Sequence, residues 1–307
     1  MVTGASGFVG PHVCTTLMAH GHEVVASARR PPDIDGTSPL VMDVTEPDTI
    51  EAGLVEARPD GVIHLAGEAA AGGSWDRVTR VMTVNAIGAG NLLAAVAATV
   101  PQARVLLVGT AHQYGEDPGR PLGESDPMSP ASPYAVSKAA QEMLGTAWAA
   151  RGLGVVMTRS FNHTGPGAPS STAAGAFCAQ IARIEAGAAP VIRTGDLSRE
   201  RDFIDVRDVA AAYLTLLERG QAGLVYNVGS GRARSVEEIL WLAVDASALG
   251  RHDVTVDASP SDVGRPGDPL RLVADISRIS SLGWVPAIGI ERSIEDTLAF
   301  HRAVLGG

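Results

Sequence analysis

Met1-Val2-Thr3-Gly4-Ala5-Ser6-Gly7-Phe8-Val9-Gly10 opens the chain, and the architecture follows from it. Gly4, Gly7 and Gly10 recur every third residue. Glycines at this spacing let the backbone turn tightly and approach a pyrophosphate at a helix N-terminus, where N–H groups and the helix dipole favour anions. Such a motif is common in a chain with 35 glycines. Its place at the strand-to-helix junction of a first crossover gives it weight. Pro11 begins a helical stretch that runs to about His20 and is closed by Gly21. Only two residues precede the motif, so the first strand is very short and a longer native N-terminus is expected.

Outward from this junction, short apolar runs alternate with helical patterns. Glu23–Ala28 reads as a strand, as does Leu40-Val41-Met42, followed by a helix from about Pro47 to Glu56. Gly61–Ala66 reads as a buried strand, Trp75–Thr99 as one long helix, and Val105–Val108 as another buried strand. A Pro/Gly/Ser loop leads to Pro133, Tyr134–Arg151 is helical, and Val155-Val156-Met157 is a further strand. Continuous apolar strands alternating with helices imply a parallel sheet covered on both faces. The fold class is therefore α/β, a doubly wound parallel sheet of the Rossmann type. After Phe161 the rhythm breaks into shorter strands and the helices Arg207–Arg219, Ser235–Leu249 and Gly289–Val304. This predicts a dinucleotide-binding domain over 1–161, with 202–228 packed on it, and a smaller mixed substrate domain over 162–307.

Composition narrows the function. With 307 residues, 45% of them hydrophobic, the chain can bury a large core, and only 19% are charged. A net charge of −10 disfavours nucleic acid, which demands a broad basic face. No uninterrupted apolar run reaches the ~18 residues of a membrane span, so no membrane partner is expected. Two cysteines, Cys14 and Cys178, form no disulfide framework, and no signal peptide is recognisable; a reduced, cytoplasmic protein is expected. The scattered His, Cys and Met residues lack metal-ligand spacing, so no metal is expected.

The basic residues are 23 arginines and a single lysine, Lys138. Drift of Lys to Arg wherever it is tolerated would leave a lysine only where Arg fails. Lys is a compact point charge, whereas Arg is planar, bulkier and never neutral. Lys138 stands in Tyr134-Ala135-Val136-Ser137-Lys138, four residues after a tyrosine at a helix start and so on its face. A phenol needs a drop of ~3 pKa units, ~4 kcal/mol, to exchange protons near neutrality, and a neighbouring ammonium acts in that sense. Thr110 follows the strand Val105–Val108 and offers a hydroxyl at the carboxyl end of a central strand, where such folds do chemistry. The second strand ends in Ala28-Arg29-Arg30-Pro31. An NAD site carries an acid here for the ribose 2′-hydroxyl and an NADP site an arginine for the 2′-phosphate, so Arg29 and Arg30 point to NADP(H) over NAD(H).

In this order, the glycine motif, Thr110, Tyr134 and Lys138 resemble the extended short-chain dehydrogenase/reductase superfamily. Arg159–Gly167, Val191–Leu197, Arg201–Val209, Tyr226–Gly231 and Arg265-Pro266-Gly267-Asp268 are similar to the branch of GDP-mannose dehydratases and GDP-4-keto-6-deoxy-mannose reductases. The resemblance covers nearly the whole chain. It implies Tyr134 as proton donor or acceptor, Thr110 as holder of the carbonyl oxygen, and Lys138 on the nicotinamide ribose. It sets Gly4, Ser6, Gly7, Phe8, Val9, Gly10, Arg29, Arg30, Asp43, Val44, Leu65, Ala66, Gly67, Phe161 and His163 against the cofactor, with Tyr134 and Lys138. Asn162 and Arg201 would face a nucleotide-diphosphate sugar, with Arg265 on its diphosphate and Asp268 near its ribose. An acidic protein can hold such a dianion through a few focused arginines.

Three departures qualify this. Dehydratases place a carboxylate two residues before the position of Tyr114. Here that position is His112, whose imidazole could stand in as a base but which reads first as a solvated loop residue, and the carboxylate acid/base pair for removing water is missing. Glu68 follows Leu65-Ala66-Gly67 where a Gln is usual, which alters the nicotinamide pocket. Ser171-Thr172-Ala173 and Ala179 stand where larger apolar residues and a Lys would meet guanine, which leaves the base open. The sequence thus points to NADPH-dependent reduction of the C4 ketone of a nucleotide-linked 4-keto-6-deoxyhexose. A nucleotide-sugar epimerase or a 4,6-dehydratase with retained NAD(P) is the alternative, and no residue argues against the epimerase. A non-catalytic NADP(H) sensor comes third, since it has no reason to keep Thr110, Tyr134 and Lys138. The helices Trp75–Thr99 and Tyr134–Ala150, rich in Ala, Val and Leu, would pair with their symmetry mates in a homodimer, as the resemblance implies.

Overall fold

A computed structural model describes residues 1–68, 74–115, 118–258 and 269–306. Its strands are β1 (Val2–Thr3), β2 (Val25–Ala28), β3 (Ser38–Val41), β4 (Gly61–His64), β5 (Arg104–Thr110), β6 (Val155–Ser160) and β7 (Asn162–Thr164). They continue as β8 (Val191–Arg193), β9 (Glu200–Asp205), β10 (Val225–Val228), β11 (Ala233–Ser235), β12 (Thr255–Asp257) and β13 (Arg271–Leu272).

Seven strands form one parallel sheet in the order β10-β6-β5-β4-β1-β2-β3. The order runs outward in both directions from β1 and β4, which is the doubly wound arrangement the alternating pattern predicts. Helices cover both faces. One apolar layer joins Val13 and Leu17 of helix Val9–Ala19 to Val209, Tyr213 and Leu216 of helix Val206–Arg219. The other joins Ile50 and Leu54 to Leu92, Leu93 and Val96. β10 and helix Val206–Arg219 thus belong to this sheet's core although they follow β7–β9 in sequence.

Beyond β6 the chain builds a second sheet from β11, β9 and β13, with β7 paired to β9, and a two-stranded pair of β8 and β12. Phe177, Ile181, Ile239, Leu240, Ile294 and Leu298 fill a third core there.

Several elements differ from the sequence expectation. The first helix begins at Val9, not Pro11, because Phe8 already has helical dihedrals. Pro11 then sits within the first turn, where a missing N–H costs nothing. Helix Trp75–Thr99 is interrupted by a π-helical turn at Thr83–Ile87. That turn carries Asn85, which is buried and bonds Glu68 N, Glu68 O and Ser137 Oγ. A helix over Ala173–Glu185 has no counterpart in the expectation; Thr172 caps it by accepting from Gly175 N at 3.3 Å. Helix Trp75–Thr99 is long and apolar enough to cross a bilayer, and 44% of its most apolar stretch is buried inside the fold.

Candidate active site

A cavity of about 2010 Å³ opens at the carboxyl ends of the parallel strands, where the strand order reverses between β1 and β4. Its walls include Gly4, Ser6, Gly7, Phe8, Val9 and Gly10 from the first turn, and Arg29, Arg30, Asp43 and Val44 from the ends of β2 and β3. Leu65, Ala66 and Gly67 follow β4, Thr110 ends β5, and Tyr134 and Lys138 come from helix Pro133–Ala150. Phe161, Asn162, His163 and Arg201 complete the set. The fold therefore gathers into one cavity residues spread over some two-thirds of the chain. Arg265 and Asp268 lie outside the described residues.

The glycine turn is bare for a reason visible in its surroundings. Gly4 adopts φ +70°, and a Cβ there would lie 2.6 Å from Ala66 N. A Cβ on Gly10 would lie 2.0 Å from Ala5 O, so the helix can start against the turn only without one. Gly7 N and Gly10 N donate to Gly4 O and Gly7 O at 3.0 and 3.1 Å, which tightens the loop at the positive end of the helix. Beside it, Thr3 Oγ1 meets His64 Nδ1 at 2.8 Å and accepts from Ala66 N at 3.3 Å, tying the end of β1 to that of β4. Burial holds the His64 imidazole neutral, at about 3, and the Lys138 charge adds to this.

No acid stands at the end of β2, where Arg29 and Arg30 are both exposed. Asp43, at the end of β3, uses one carboxylate oxygen on Thr45 N (2.9 Å) and Thr45 Oγ1 (2.8 Å). Burial raises its pKa, but these bonds and the Arg29 charge outweigh that and hold the carboxyl below the usual range. A glycine cradle at a helix start and two arginines, with no acid, at the end of β2 fit a dinucleotide carrying a 2′-phosphate.

The three side chains expected to react lie on two elements. β5 extends through Thr110, which caps a short turn over Ala111–Gln113. Ser132 caps helix Pro133–Ala150 and presents Tyr134 in its first turn. Thr110 and Tyr134 both line the cavity, and the Thr110 side chain acts to lower the Tyr134 pKa. Lys138 Nζ donates to Val108 O at 2.8 Å and to Gln141 Oε1 at 3.0 Å. Burial pulls the ammonium down to about 8. For Tyr134 the expected direction is reversed: burial pushes the phenol up, partly offset by the Thr110 side chain. Desolvation is the larger effect, so the phenol keeps its proton and is suited to donate it.

His112 also departs from expectation. It lines the cavity with its ring edge-on to Tyr134, centroids 6.3 Å apart, because the short turn folds it back over the helix start. Glu68 is paired with Arg80 at 2.7 Å and Arg77 at 3.2 Å, so its extra charge is offset on the cavity rim. Phe8 stacks on His163 at 5.8 Å, and burial lowers the pKa of that imidazole. Arg201 Nη1 is anchored on Glu200 O (2.8 Å) and Leu270 O (3.2 Å). Gln180 spans Arg193 N and O at 2.8 and 3.1 Å. Asn85, Gln113, Gln141 and Glu142 support the site and were missed in the sequence. Glu142 alone had a signal there, four residues after Lys138 on the Tyr134 face.

A doubly wound fold with a Ser/Thr–Tyr–Lys set at its switch point defines a nicotinamide-dependent oxidoreductase class. The model of the NAD dependent epimerase/dehydratase family matches residues 1–229, and the chain belongs to that family. It is 34% identical to a GDP-6-deoxy-D-mannose reductase of Pseudomonas aeruginosa over 303 residues, 97% of this chain and 95% of the relative. Among solved structures, RMD from Pseudomonas aeruginosa complexed with NADPH superposes with a TM-score of 0.86 at 33% identity, covering 99% and 98% of the two chains. The UDP-glucose 4-epimerase of Thermus thermophilus in complex with NAD gives 0.88 at 28% identity, covering 98% of each chain.

Proposed function

We propose that this chain reduces the C4 ketone of a nucleotide-linked 4-keto-6-deoxyhexose with NADPH, in the manner of the GDP-6-deoxy-D-mannose reductase it resembles. One observation carries the reading: Thr110 and the buried Tyr134 line the same cavity as the glycine turn and Arg29–Arg30. Bound NADPH supplies the hydride. Thr110 and Tyr134 hydrogen-bond the ketone oxygen from one side, and Tyr134 gives up its proton as charge develops there. Lys138 keeps a positive charge beside the phenol and hydrogen-bonds the nicotinamide ribose. Arg29 and Arg30 take the 2′-phosphate. Gly4, Ser6, Gly7, Phe8, Val9 and Gly10 surround the pyrophosphate. Asp43, Val44, Leu65, Ala66, Gly67, Phe161 and His163 line the rest of the cofactor site. Asn162 and Arg201 face the sugar nucleotide, and Arg265 and Asp268 are assigned to its diphosphate and ribose from sequence alone.

We further propose a cytoplasmic homodimer. Trp75, Val78 and Ile87 on helix Trp75–Thr99 and Val136 and Met143 on helix Pro133–Ala150 are exposed, and the two helices pack side by side. An apolar face of this kind is buried when two copies meet about a two-fold axis.

The experiment is turnover with GDP-, dTDP- and UDP-linked 4-keto-6-deoxyhexoses, followed by NADPH consumption. Stoichiometric consumption is expected with at least one of them, and a Tyr134→Phe enzyme that binds NADPH but is slowed ~10²–10⁴-fold. Sugar isomerisation without NADPH consumption would establish the epimerase instead.

A further inference from the structure

Tyr134, Lys138 and Glu142 follow at four-residue steps down helix Pro133–Ala150 and share one face. The first two line the cavity; Glu142 is buried behind it. Arg159 grips the carboxylate with two bonds, Nε to Oε2 at 2.9 Å and Nη2 to Oε1 at 2.7 Å. Gln113, fully buried, donates from Nε2 to Glu142 Oε2 at 2.7 Å. Its Oε1 accepts the backbone N–H of Thr110 at 2.9 Å. A polar chain of guanidinium, carboxylate and carboxamide thus joins the helix of Tyr134 to the backbone of Thr110, by a route outside the cavity.

Two features make this chain directional. The carboxylate can only accept, so the amide must turn its NH₂ to Glu142 and its oxygen to Thr110; the flipped orientation would set oxygen against carboxylate and N–H against N–H. Gly109, opposite Arg159 across β5 and β6, leaves room for the amide, since a Cβ there would lie 2.5 Å from Gln113 Oε1.

We propose that Gln113, clamped by the Glu142–Arg159 pair, is a positioning residue that sets the Thr110 hydroxyl against Tyr134 so that both reach one substrate oxygen. The proposal rests on the reading that Thr110 and Tyr134 carry the reduction. Misplacement of a reacting group by ~1 Å costs on the order of 10²-fold in rate, and Gln113 holds the backbone from which Thr110 projects.

A double-mutant cycle of Gln113→Leu and Thr110→Val tests it, with kcat, KM and NADPH affinity measured for each enzyme. Gln113→Leu is expected to lower kcat on the order of 10²-fold while NADPH affinity and KM hold. In the Thr110→Val background the same change adds less than about twofold, because the group it positions is already gone. Costs that multiply in the double variant, a parental kcat in Gln113→Leu, or a loss confined to KM would overturn the proposal. Parental turnover in both Thr110→Val and Tyr134→Phe would instead overturn the reading beneath it. If Gln113→Leu does not fold, Gln113→Glu carries the test, since it sets a second carboxylate against Glu142. Its kcat should recover as pH falls and the two carboxylates come to share a proton; a parental, pH-independent kcat overturns the proposal.

Discussion

Lys138→Met should make the protein more stable and inactive at once. The Lys138 side chain is buried, and burial holds its pKa at about 8 against an ordinary 10.5. Keeping the charge in the fold at neutral pH therefore costs ~3 kcal/mol. The unfolded chain retains the proton up to 10.5 while the folded chain sheds it near 8, so the unfolded state binds more protons between these limits. Stability accordingly rises with pH across that window; the cost is complete below about 8 and gone above 10.5. Met keeps the stem and removes the charge. It forfeits the bonds to Val108 O and Gln141 Oε1, ~1 kcal/mol each, but Val108 O keeps Gln141 Nε2 at 3.0 Å. The net expectation is a gain on the order of 1 kcal/mol at neutral pH that shrinks and reverses towards the upper end of the window. Urea unfolding followed by circular dichroism, parent against variant at several pH values, measures it. A variant less stable than the parent at neutral pH, or a gain that ignores pH, would mean that the buried Lys138 charge carries no such cost. Turnover should be lost in Lys138→Met and also in Lys138→Arg, whose guanidinium keeps the charge but does not fit between Val108 O and Gln141.

Two further outcomes follow from the cavity and the surface. Replacing Arg29 and Arg30 together by Ala should erase a preference for NADPH over NADH, by on the order of tenfold per arginine, with NADH affinity nearly unchanged in titrations of nucleotide fluorescence. Light scattering at micromolar concentration should give twice the monomer mass, and Ile87→Glu with Met143→Glu should return it to one copy.

The doubly wound sheet was legible because its strands are continuous apolar runs and its punctuation is Gly and Pro. The places of Tyr134, Lys138, Arg29 and Arg30 on the cavity wall were legible because the fold makes its choices at fixed places along such a chain. The second sheet was not. β13 has two residues and pairs with β9 some seventy positions earlier, so no local pattern announces it. Helix Ala173–Glu185 opens on Ala-Ala-Gly-Ala, so its apolar stripe starts only at Phe177 and is short. The π-helical turn at Thr83–Ile87 hides inside a helical pattern and is marked only by the buried bonds of Asn85. The direction of the Tyr134 shift failed for a different reason: the Tyr–Lys spacing is visible in sequence, but the degree of burial that reverses the sign is not.

The central claim is hydride delivery to a sugar ketone that Thr110 and Tyr134 hold. Its most direct measurement is a single turnover of a 4-keto-6-deoxyhexose nucleotide with NADPH deuterated at nicotinamide C4, followed by NMR of the sugar. One deuterium is expected at sugar C4 from one of the two labelled faces, in step with loss of NADPH, and none with Tyr134→Phe on the same timescale. A product altered in configuration, with no deuterium at C4 and NADPH unspent, would contradict it.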